Sequence, residues 1–382
     1  MVKEQTELLT IVGDNTSALL LQSTAAKVCI LCILLPIPIF AILGNLFIMA
    51  AVVRIQKLRT STNAFVVSLA MADFLVAVLV MPFSLVRSVD PWHFGRPFCQ
   101  AHFVLDVSLC TSSIFNLSCV ALDRNIAVCN PLCYPVQMSP RRVAILLLLC
   151  WILPLLISSL CVSFGMDSQS PPAELYSPIQ QENQTCLAAF HVPYALASST
   201  LCFFIPVGFM LFAYGKIFLA AQRQARWIHA MEHQAGQLQM SHSPMRADLR
   251  RQAQACVESC SLKKERKTAK TLGLIMGVFL FCWLPFLSVN VAHPLWGYSN
   301  SPVVLEAFMW LGCANSSLNP FLYASFKKSY RHAFVAILDC GGLGRKLRAW
   351  LESSHRCYRG DRVKECTFGC HGNCCSPCTS PE

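Results

Sequence analysis

Apolar residues dominate seven long blocks of this chain, and polar or basic stretches separate the blocks. The blocks span residues 28–53, 63–86, 99–128, 143–164, 192–221, 268–293 and 303–325. Each block is long enough for an α-helix to cross the hydrocarbon core of a bilayer, which takes roughly 20 residues. Because backbone polar groups in lipid must be hydrogen-bonded within the chain, the blocks predict helices that pack together. The predicted fold class is an all-α membrane protein, a seven-transmembrane helix bundle.

Lysine and arginine are concentrated in alternate connections between the blocks. The first, third and fifth connections carry basic residues, whereas 165–191 and 294–302 contain no Lys or Arg. Basic residues favour the cytoplasmic side, so we expect an extracellular N-terminus and a location in the plasma membrane. Glycosylation sequons begin at Asn15 and Asn183, in segments that this rule places outside. Both asparagines are therefore predicted glycosylation sites.

The segments outside the blocks complete the predicted domain organisation. We expect an extracellular segment at 1–27, a transmembrane domain at 28–325 with its third cytoplasmic loop at 222–267, a membrane-surface helix at 326–340 and a disordered tail at 341–382. Basic and apolar residues alternate with helical period after residue 326, which is typical of a short amphipathic eighth helix. Cys340 is a candidate for palmitoylation. In the tail, Cys375 and Cys378 have the spacing of zinc ligands, and zinc binding, further acylation and no specific role stay open.

Composition narrows the class of protein. The chain is 54% hydrophobic and 13% charged, and its net charge of +11 comes mainly from the inner connections and the tail, so we infer no nucleic-acid binding. Ten of the 22 cysteines lie in apolar blocks, where a free thiol behaves as a small hydrophobe. Cys99 and Cys186 instead fall on the outer side, where an oxidising compartment permits a disulfide. The alternative is two free thiols.

The third block carries two charged residues, Asp106 and Arg124. A charge in a membrane-spanning block is costly and is retained for function. Eighteen residues separate the two, which a helix spans in about 27 Å, nearly the thickness of the hydrocarbon core. An acid near the outer face and a base near the inner face indicate a ligand bound on one side and a partner engaged on the other.

A different short motif stands in each block. The motifs are Gly44-Asn45, Leu69-Ala70-Met71-Ala72-Asp73, Asp123-Arg124, Trp151, Pro206 with Tyr214, Cys282-Trp283-Leu284-Pro285 and Asn319-Pro320-Phe321-Leu322-Tyr323. With these motifs the chain resembles the rhodopsin-like (class A) G-protein-coupled receptor family over residues 28–340. The resemblance implies a receptor rather than an enzyme, with a heterotrimeric G protein as its partner and arrestin as a candidate partner.

Asp106 occupies the position at which aminergic receptors of this family pair with a ligand ammonium. A carboxylate in a half-dry cavity is costly unless paired, and a protonated amine supplies a charge-assisted hydrogen bond. The alternative is a pairing with a neighbouring side chain. The resemblance implies the ligand-binding residues Asp106, Cys110, Ser198, Ser199, Cys202, Trp283, Phe286, Leu287, Asn290, Met309, Trp310 and Cys313. For the two serines, the alternative is a hydrogen bond to their own helix backbone.

Two further sets of residues match functional positions of the family. Its allosteric sodium pocket corresponds to Asp73, Ser113, Asn315, Ser316 and Asn319, whose oxygen atoms suit a hard cation. Its activation switch corresponds to Asp123, Arg124, Tyr214, Glu265, Asn319, Pro320 and Tyr323. The resemblance implies that Arg124 pairs with Asp123 and Glu265 in the inactive bundle. Breaking the Glu265 contact would let the sixth helix swing outward and admit a G-protein α subunit. No cofactor other than sodium is expected.

Within the family, the chain combines features of two groups. Residues 112–118, 127–132, 264–273 and 276–283 resemble trace-amine-associated receptors, whereas 319–324 and 328–334 are similar to type-4 serotonin receptors. The resemblance implies a biogenic monoamine as the ligand, a trace amine or a serotonin-like molecule, and a rise in cyclic AMP through a Gs-type protein.

Three departures from the family pattern keep alternatives open. Asn125 replaces the Tyr that usually follows Asp-Arg, Leu287 replaces an aromatic residue, and Cys313 replaces a Tyr that bonds the ligand-binding Asp in many aminergic receptors. An orphan receptor with an altered pocket and weak or constitutive signalling is therefore an alternative. An ion or proton transporter could also use the intramembrane charges, although the chain has no inverted repeat. A retinal photoreceptor needs a Lys in the seventh helix, and 303–325 contains none.

Overall fold

Long helices account for most of the described chain. The computed structural model describes residues 24–165, 186, 192–238, 273–289, 291, 302–327 and 330–334 of the 382-residue protein. Within these residues we number seven long helices: α1 (Thr24–Leu34 continued by Pro36–Arg54), α2 (Ser61–Leu75, Val76–Val80 and Met81–Val89), α3 (Gly95–Cys129), α4 (Pro140–Gly165), α5 (Val192–Ser199, Thr200–Phe204 and Ile205–Leu238), α6 (Gly273–Val289) and α7 (Pro302–Phe326). Each helix coincides with one of the predicted apolar blocks. The fold is a seven-transmembrane helix bundle.

Length and composition alone assign membrane spans to five helices in the described ranges. These spans are Thr24–Arg54, Ser61–Val89, Gly95–Cys129, Pro140–Leu160 and Leu196–Arg223. The described part of α6 is shorter than a full span. α7 has 25 residues, which rise about 37 Å. It carries the polar residues Glu306, Asn315 and Asn319.

Two helices contain a wide, π-helical turn that ends two residues before a proline. In α2, Val76–Val80 precedes Met81 and Pro82, and in α5, Thr200–Phe204 precedes Ile205 and Pro206. Proline has no N–H and its ring collides with the carbonyl four residues back, so the turn before it widens to avoid the collision. The apolar pattern predicted both helices but not these wide turns.

α3 lies at the centre of the bundle and packs against α2, α4 and α5, while α1 packs against α2 and α7. The contact between α1 and α7 is close because of Gly44. A Cβ atom at Gly44 would lie 2.8 Å from the Cβ atom of Pro320. Only glycine allows the two helix backbones to approach this closely.

Polarity in the bundle is the reverse of that in a soluble protein. The buried interior includes Asn45, Asp73, Asn116 and Asp123, whereas large apolar side chains such as Phe321 are exposed on the outside. An apolar exterior is expected where the surrounding solvent is lipid. The buried polar groups instead hydrogen-bond within the bundle, as Asp73 does with Ser113 and Asp123 with Thr62. Intramembrane polar residues are tolerated in such an interior.

Several predictions fall outside the described residues. These are Asn15, Asn183, Glu265, Asn290, Cys340, the tail and most of the expected eighth helix. Chain contacts separate Met1–Phe326 from a second unit, Lys327–Glu382. In that second unit, the backbone N–H groups of Tyr330 and Arg331 donate to the Lys327 carbonyl at 3.0 and 3.1 Å, which forms one helical turn. In α5, the helix continues to Leu238 and so includes the first part of the predicted third cytoplasmic loop.

Candidate functional site

Asp106 is half-buried in the outer half of α3. One helical turn later, the Cys110 thiol donates to its Oδ1 at 3.4 Å. No Lys or Arg in the described part of the chain forms an ion pair with this carboxylate. A thiol is a weak donor, so it compensates little of the cost of removing the carboxylate from water. Asp106 therefore retains the capacity to accept a strong, charged donor.

Residues of α3 and α7 come together around this carboxylate. Trp310 and Cys313 are each 3% exposed and belong to one apolar cluster with Leu109, against which Cys110 and Met309 pack. Cys110, whose thiol donates to Asp106, joins this carboxylate to the α7 residues of the cluster. The α7 face of the predicted ligand site is therefore adjacent to Asp106.

The predicted residues of α6 contact α7. The rings of Trp283 and Phe286 meet edge to face with centroids 6.3 Å apart, and Leu287 is buried. The Trp283 ring lies against Gly312, where an added Cβ atom would be 3.1 Å from ring carbons. The absence of a side chain at Gly312 is thus what allows Trp283 to lie against the α7 backbone.

The predicted residues of α5 lie directly before its wide turn and within it. Ser198 is half-buried, and Ser199 and Cys202 are buried. Next to Cys202, Phe203 stacks on Phe279 of α6 at a centroid distance of 5.9 Å, which joins α5 to α6. The roles of these α5 residues in ligand binding remain a prediction.

On the outer side of Asp106 lies a buried polar residue, His102, that the sequence patterns did not indicate. His102 precedes Asp106 by one helical turn and is buried. Its Nε2 lies 3.2 Å from the Val80 carbonyl and 3.4 Å from Ser84 Oγ, and its Nδ1 has no hydrogen-bond partner among the described residues. The signal that could have found it is a polar residue in an apolar block at helical spacing from Asp106.

A disulfide lies at the same outer end of α3. Cys99 and Cys186 are bonded, with their Cα atoms 5.8 Å apart, so the predicted bridge is present. Both cysteines are buried in a cluster with Trp92, against which Phe83 and Phe103 pack. The bond holds the connection between α4 and α5 against the outer end of α3.

Deeper in the bundle, Asp73 is 0% exposed and is surrounded by hydrogen-bond donors. It accepts from Ser113 Oγ at 2.9 Å, from Ser316 Oγ at 2.9 Å and from Asn319 Nδ2 at 2.8 Å. The buried Asn315 Oδ1 has no hydrogen-bond partner in the described ranges. One carboxylate with neutral oxygen atoms around it fits a hard monovalent cation. All five predicted sodium ligands are buried, and four of them are joined by these hydrogen bonds.

At the inner end of α3, Asp123 accepts from three neighbours. Thr62 Oγ1 donates at 2.5 Å, Tyr134 Oη at 2.9 Å and Arg124 Nε at 2.9 Å, and Arg124 also contacts Thr62. Burial raises the pKa of the Tyr134 phenol, and its hydrogen bond to Asp123 raises it further, so Tyr134 remains a donor at neutral pH. Arg124 is therefore held within the bundle by its own neighbour.

Comparison with known proteins decides the family. The profile of the family described as "7 transmembrane receptor (rhodopsin family)" matches residues 44–323, most of the chain. The chain belongs to this family. It is therefore a receptor rather than an enzyme, and a multi-pass protein of the plasma membrane.

Curated relatives of this rhodopsin-family receptor are named for amines. The 5-hydroxytryptamine receptor 4 of Cavia porcellus is 42% identical over 320 residues, which cover 82% of this chain and 80% of the relative. The octopamine receptor beta-2R of Chilo suppressalis is 37% identical over 320 residues, covering 81% and 79%. The histamine H2 receptor of Homo sapiens is 34% identical over 331 residues, covering 86% and 84%.

The inner end of this rhodopsin-family receptor has one contact that its unusual Asn creates. Asn125, which follows Asp123 and Arg124, donates from Nδ2 to the Ala213 carbonyl of α5 at 3.0 Å. The replacement of the usual Tyr by Asn at this position therefore creates a contact between two helices. Tyr214 follows Ala213 directly, so Asn125 holds α3 against the α5 turn that carries a predicted switch residue.

Proposed function

We propose that this receptor binds a small biogenic monoamine, serotonin-like or a trace amine, and raises cyclic AMP through a Gs-type protein. The observation that carries the proposal is Asp106, a half-buried carboxylate in α3 with a thiol as its neighbouring donor. The relatives named for 5-hydroxytryptamine, octopamine and histamine support an amine over other ligand classes. Coupling to Gs rests on the resemblance to type-4 serotonin receptors.

The chemistry of an amine matches the predicted residues. A protonated amine offers Asp106 a charge-assisted hydrogen bond, which offsets the cost of keeping the carboxylate out of water. The aromatic faces of Trp283 and Phe286 attract a cation and bury apolar area. Ser198 and Ser199 would bond polar groups on the ligand ring, whereas the weaker donor Cys202 makes a catechol a poorer fit.

Signalling would couple this site to the two polar clusters below it. Sodium held by the cluster around Asp73 would favour the inactive bundle, and an agonist would favour its release. Movement of Trp283 along Gly312 would accompany an outward swing of α6 about Pro285. Arg124 would then leave Asp123 and contact the C-terminal helix of the G-protein α subunit.

Substitution of Asp106 by Asn tests the ligand assignment. The amide keeps the shape but loses the charge-assisted bond, which should cost at least ~2 kcal/mol, or roughly thirty-fold in amine potency. The measurement is cyclic AMP in transfected cells exposed to a panel of biogenic amines at matched surface expression. Asp90→Asn is the control, because Asp90 is an exposed outer carboxylate paired with Lys27.

Three outcomes would contradict the proposal. Unchanged potency in Asp106→Asn would reject the amine contact, and cyclic AMP that falls on addition of an active amine would reject Gs. No response to any amine, combined with high basal cyclic AMP, would favour the alternative of a constitutive receptor. The buried Cys313 favours that alternative, since it supplies no hydroxyl donor to Asp106.

A further inference from the structure

Polar side chains join the outer ends of α2 and α7. Glu306 Oε1 accepts from Ser88 Oγ at 2.6 Å and from Trp310 Nε1 at 3.3 Å, and the same indole nitrogen lies 3.0 Å from Ser88 Oγ. The Arg87 guanidinium lies 3.6 Å from Glu306 Oε2. We call Arg87, Ser88, Glu306 and Trp310 the α2–α7 clamp.

The clamp is not explained by stability alone. The Arg87 and Glu306 side chains are only 13% and 31% exposed, so both charges have lost much of their hydration. Attraction between two partly buried charges roughly balances that loss, and replacing such pairs by apolar residues is often neutral or stabilising. A bonded polar group does, however, fix geometry, because each donor has a required direction.

Trp310 connects the α2–α7 clamp to the proposed amine site. Its indole has one N–H, and Ser88 and Glu306 both lie within reach of it, so they determine how the ring is turned. The ring is 3% exposed and packs in the cluster that Cys110 contacts, next to Asp106.

Arg87 holds the preceding residue of α7. Its guanidinium lies 2.7 Å from Met309 Sδ and 5.7 Å from the centre of the Phe103 ring on α3. Met309 and Trp310, both expected ligand contacts, are thus held from α2 and α3 rather than by α7 alone.

We propose that Glu306 and Arg87 are positioning residues for amine affinity. Glu306 orients the Trp310 indole beside Asp106 through its acceptor oxygen, and Arg87 holds Met309. This inference rests on the proposed function. What Trp310 requires from position 306 is an acceptor oxygen, not a charge.

That distinction predicts different results for two substitutions. Glu306→Gln retains an acceptor oxygen for Ser88 and Trp310, so amine affinity should stay within about two-fold of the parent. Glu306→Ala removes it, and affinity should fall about ten-fold. In a Trp310→Phe background, which has no indole N–H, Glu306→Ala should cause no further loss, because the two residues act as one unit.

Radioligand competition with an active amine at matched surface expression measures these affinities. Asp90→Ala is the matched control, since it removes a carboxylate from the outer end of α2 whose partner is Lys27 instead of Trp310. The proposal is overturned if Glu306→Gln is as damaging as Glu306→Ala, if the losses add in the Trp310→Phe background, or if the control falls equally.

A second measurement needs no ligand and separates this inference from the proposed function. The purified receptor is labelled with 5-fluorotryptophan, and its fluorine NMR signal from Trp310 is identified by its absence in Trp310→Phe. Glu306→Ala should shift or broaden that signal, while Glu306→Gln leaves it near its parental position. An unmoved signal in Glu306→Ala overturns the clamp even if an amine binds. A moved signal supports the clamp even if no amine activates the receptor.

Discussion

At the scale of single residues, the receptor gives three buried or half-buried aspartates different neighbours. Asp73 has hydroxyl and amide donors, Asp106 has the thiol of Cys110, and Asp123 has the guanidinium of Arg124. The same carboxylate can therefore suit three different positive partners. Under the proposed function, Asp73 would bind a small cation and Asp106 a ligand ammonium, whereas Asp123 already pairs with Arg124.

The pairing of Asp123 with Arg124 predicts the behaviour of an isosteric variant. Asp123→Asn keeps the side-chain shape but removes the negative charge that holds Arg124 within the bundle. Partial exposure of Arg124 limits this pair to ~1 kcal/mol, so basal cyclic AMP should rise about five-fold. Tyr134→Phe is the control, because it removes one neutral donor and leaves the ion pair intact. Equal basal activity in all three proteins at matched surface expression would reject this role of Asp123.

Sequence reasoning found the aspartates but missed Arg87 and Glu306. Glu306 lies inside the apolar block 303–325 and Arg87 lies one residue beyond 63–86, so each was visible as an intramembrane charge. The contact between them could not be predicted, because α2 and α7 are far apart in the sequence: Ser88, next to Arg87, lies 218 positions from Glu306. Such a contact is decided by which helices are neighbours, and apolar periodicity does not report that.

At the scale of helices, the apolar blocks predicted where each span lies, because the thickness of the bilayer sets how many apolar residues a span needs. The wide turns Val76–Val80 and Thr200–Phe204 were not predicted. A proline shows that a helix must adjust, but a kink, a break and a wide turn all relieve the same collision. Which of them occurs depends on the neighbouring helices.

The close approach of α1 and α7 predicts the effect of adding one methyl group. Gly44→Ala would place Cβ 2.8 Å from Cβ of Pro320, and overcrowding of this kind costs about 1–3 kcal/mol. The thermal midpoint of the detergent-solubilised receptor should therefore fall. In Gly208→Ala, by contrast, the new methyl meets no atom within 4 Å and replaces a poor helix former, so the midpoint should hold or rise. Equal shifts in both variants would show that the α1–α7 contact is not close.

At the scale of the whole molecule, the proposed function requires exchange between two arrangements of the bundle. Asp73 accepts from α3 through Ser113 and from α7 through Ser316 and Asn319. Three helices therefore converge on one carboxylate midway between the outer and inner clusters. A cation bound there would favour one arrangement and, by linkage, would oppose an agonist that favours the other.

Removal of sodium tests that linkage. Replacing sodium chloride by an organic-cation chloride at constant ionic strength should raise agonist affinity in the parent receptor by at least about five-fold. In Asp73→Asn the same replacement should have no effect, because the neutral amide binds a cation poorly. Ser118→Ala is the control, since Ser118 on α3 bonds only the Ile114 carbonyl among the described residues. A sodium effect that persists in Asp73→Asn would place the cation elsewhere.

The bond between Cys99 and Cys186 also has a mechanical consequence. It closes a covalent loop between two residues that are 87 positions apart, and this loop includes α3 and α4. Tension applied between the two ends of the chain passes from one sulfur to the other and bypasses this loop. Up to about 300 Å of extended chain is thus withheld from stretching until a reductant opens the bond. Asp106 and Arg124 both lie inside the loop, so the residues proposed to bind the amine and the G protein are off the covalent path that carries the tension.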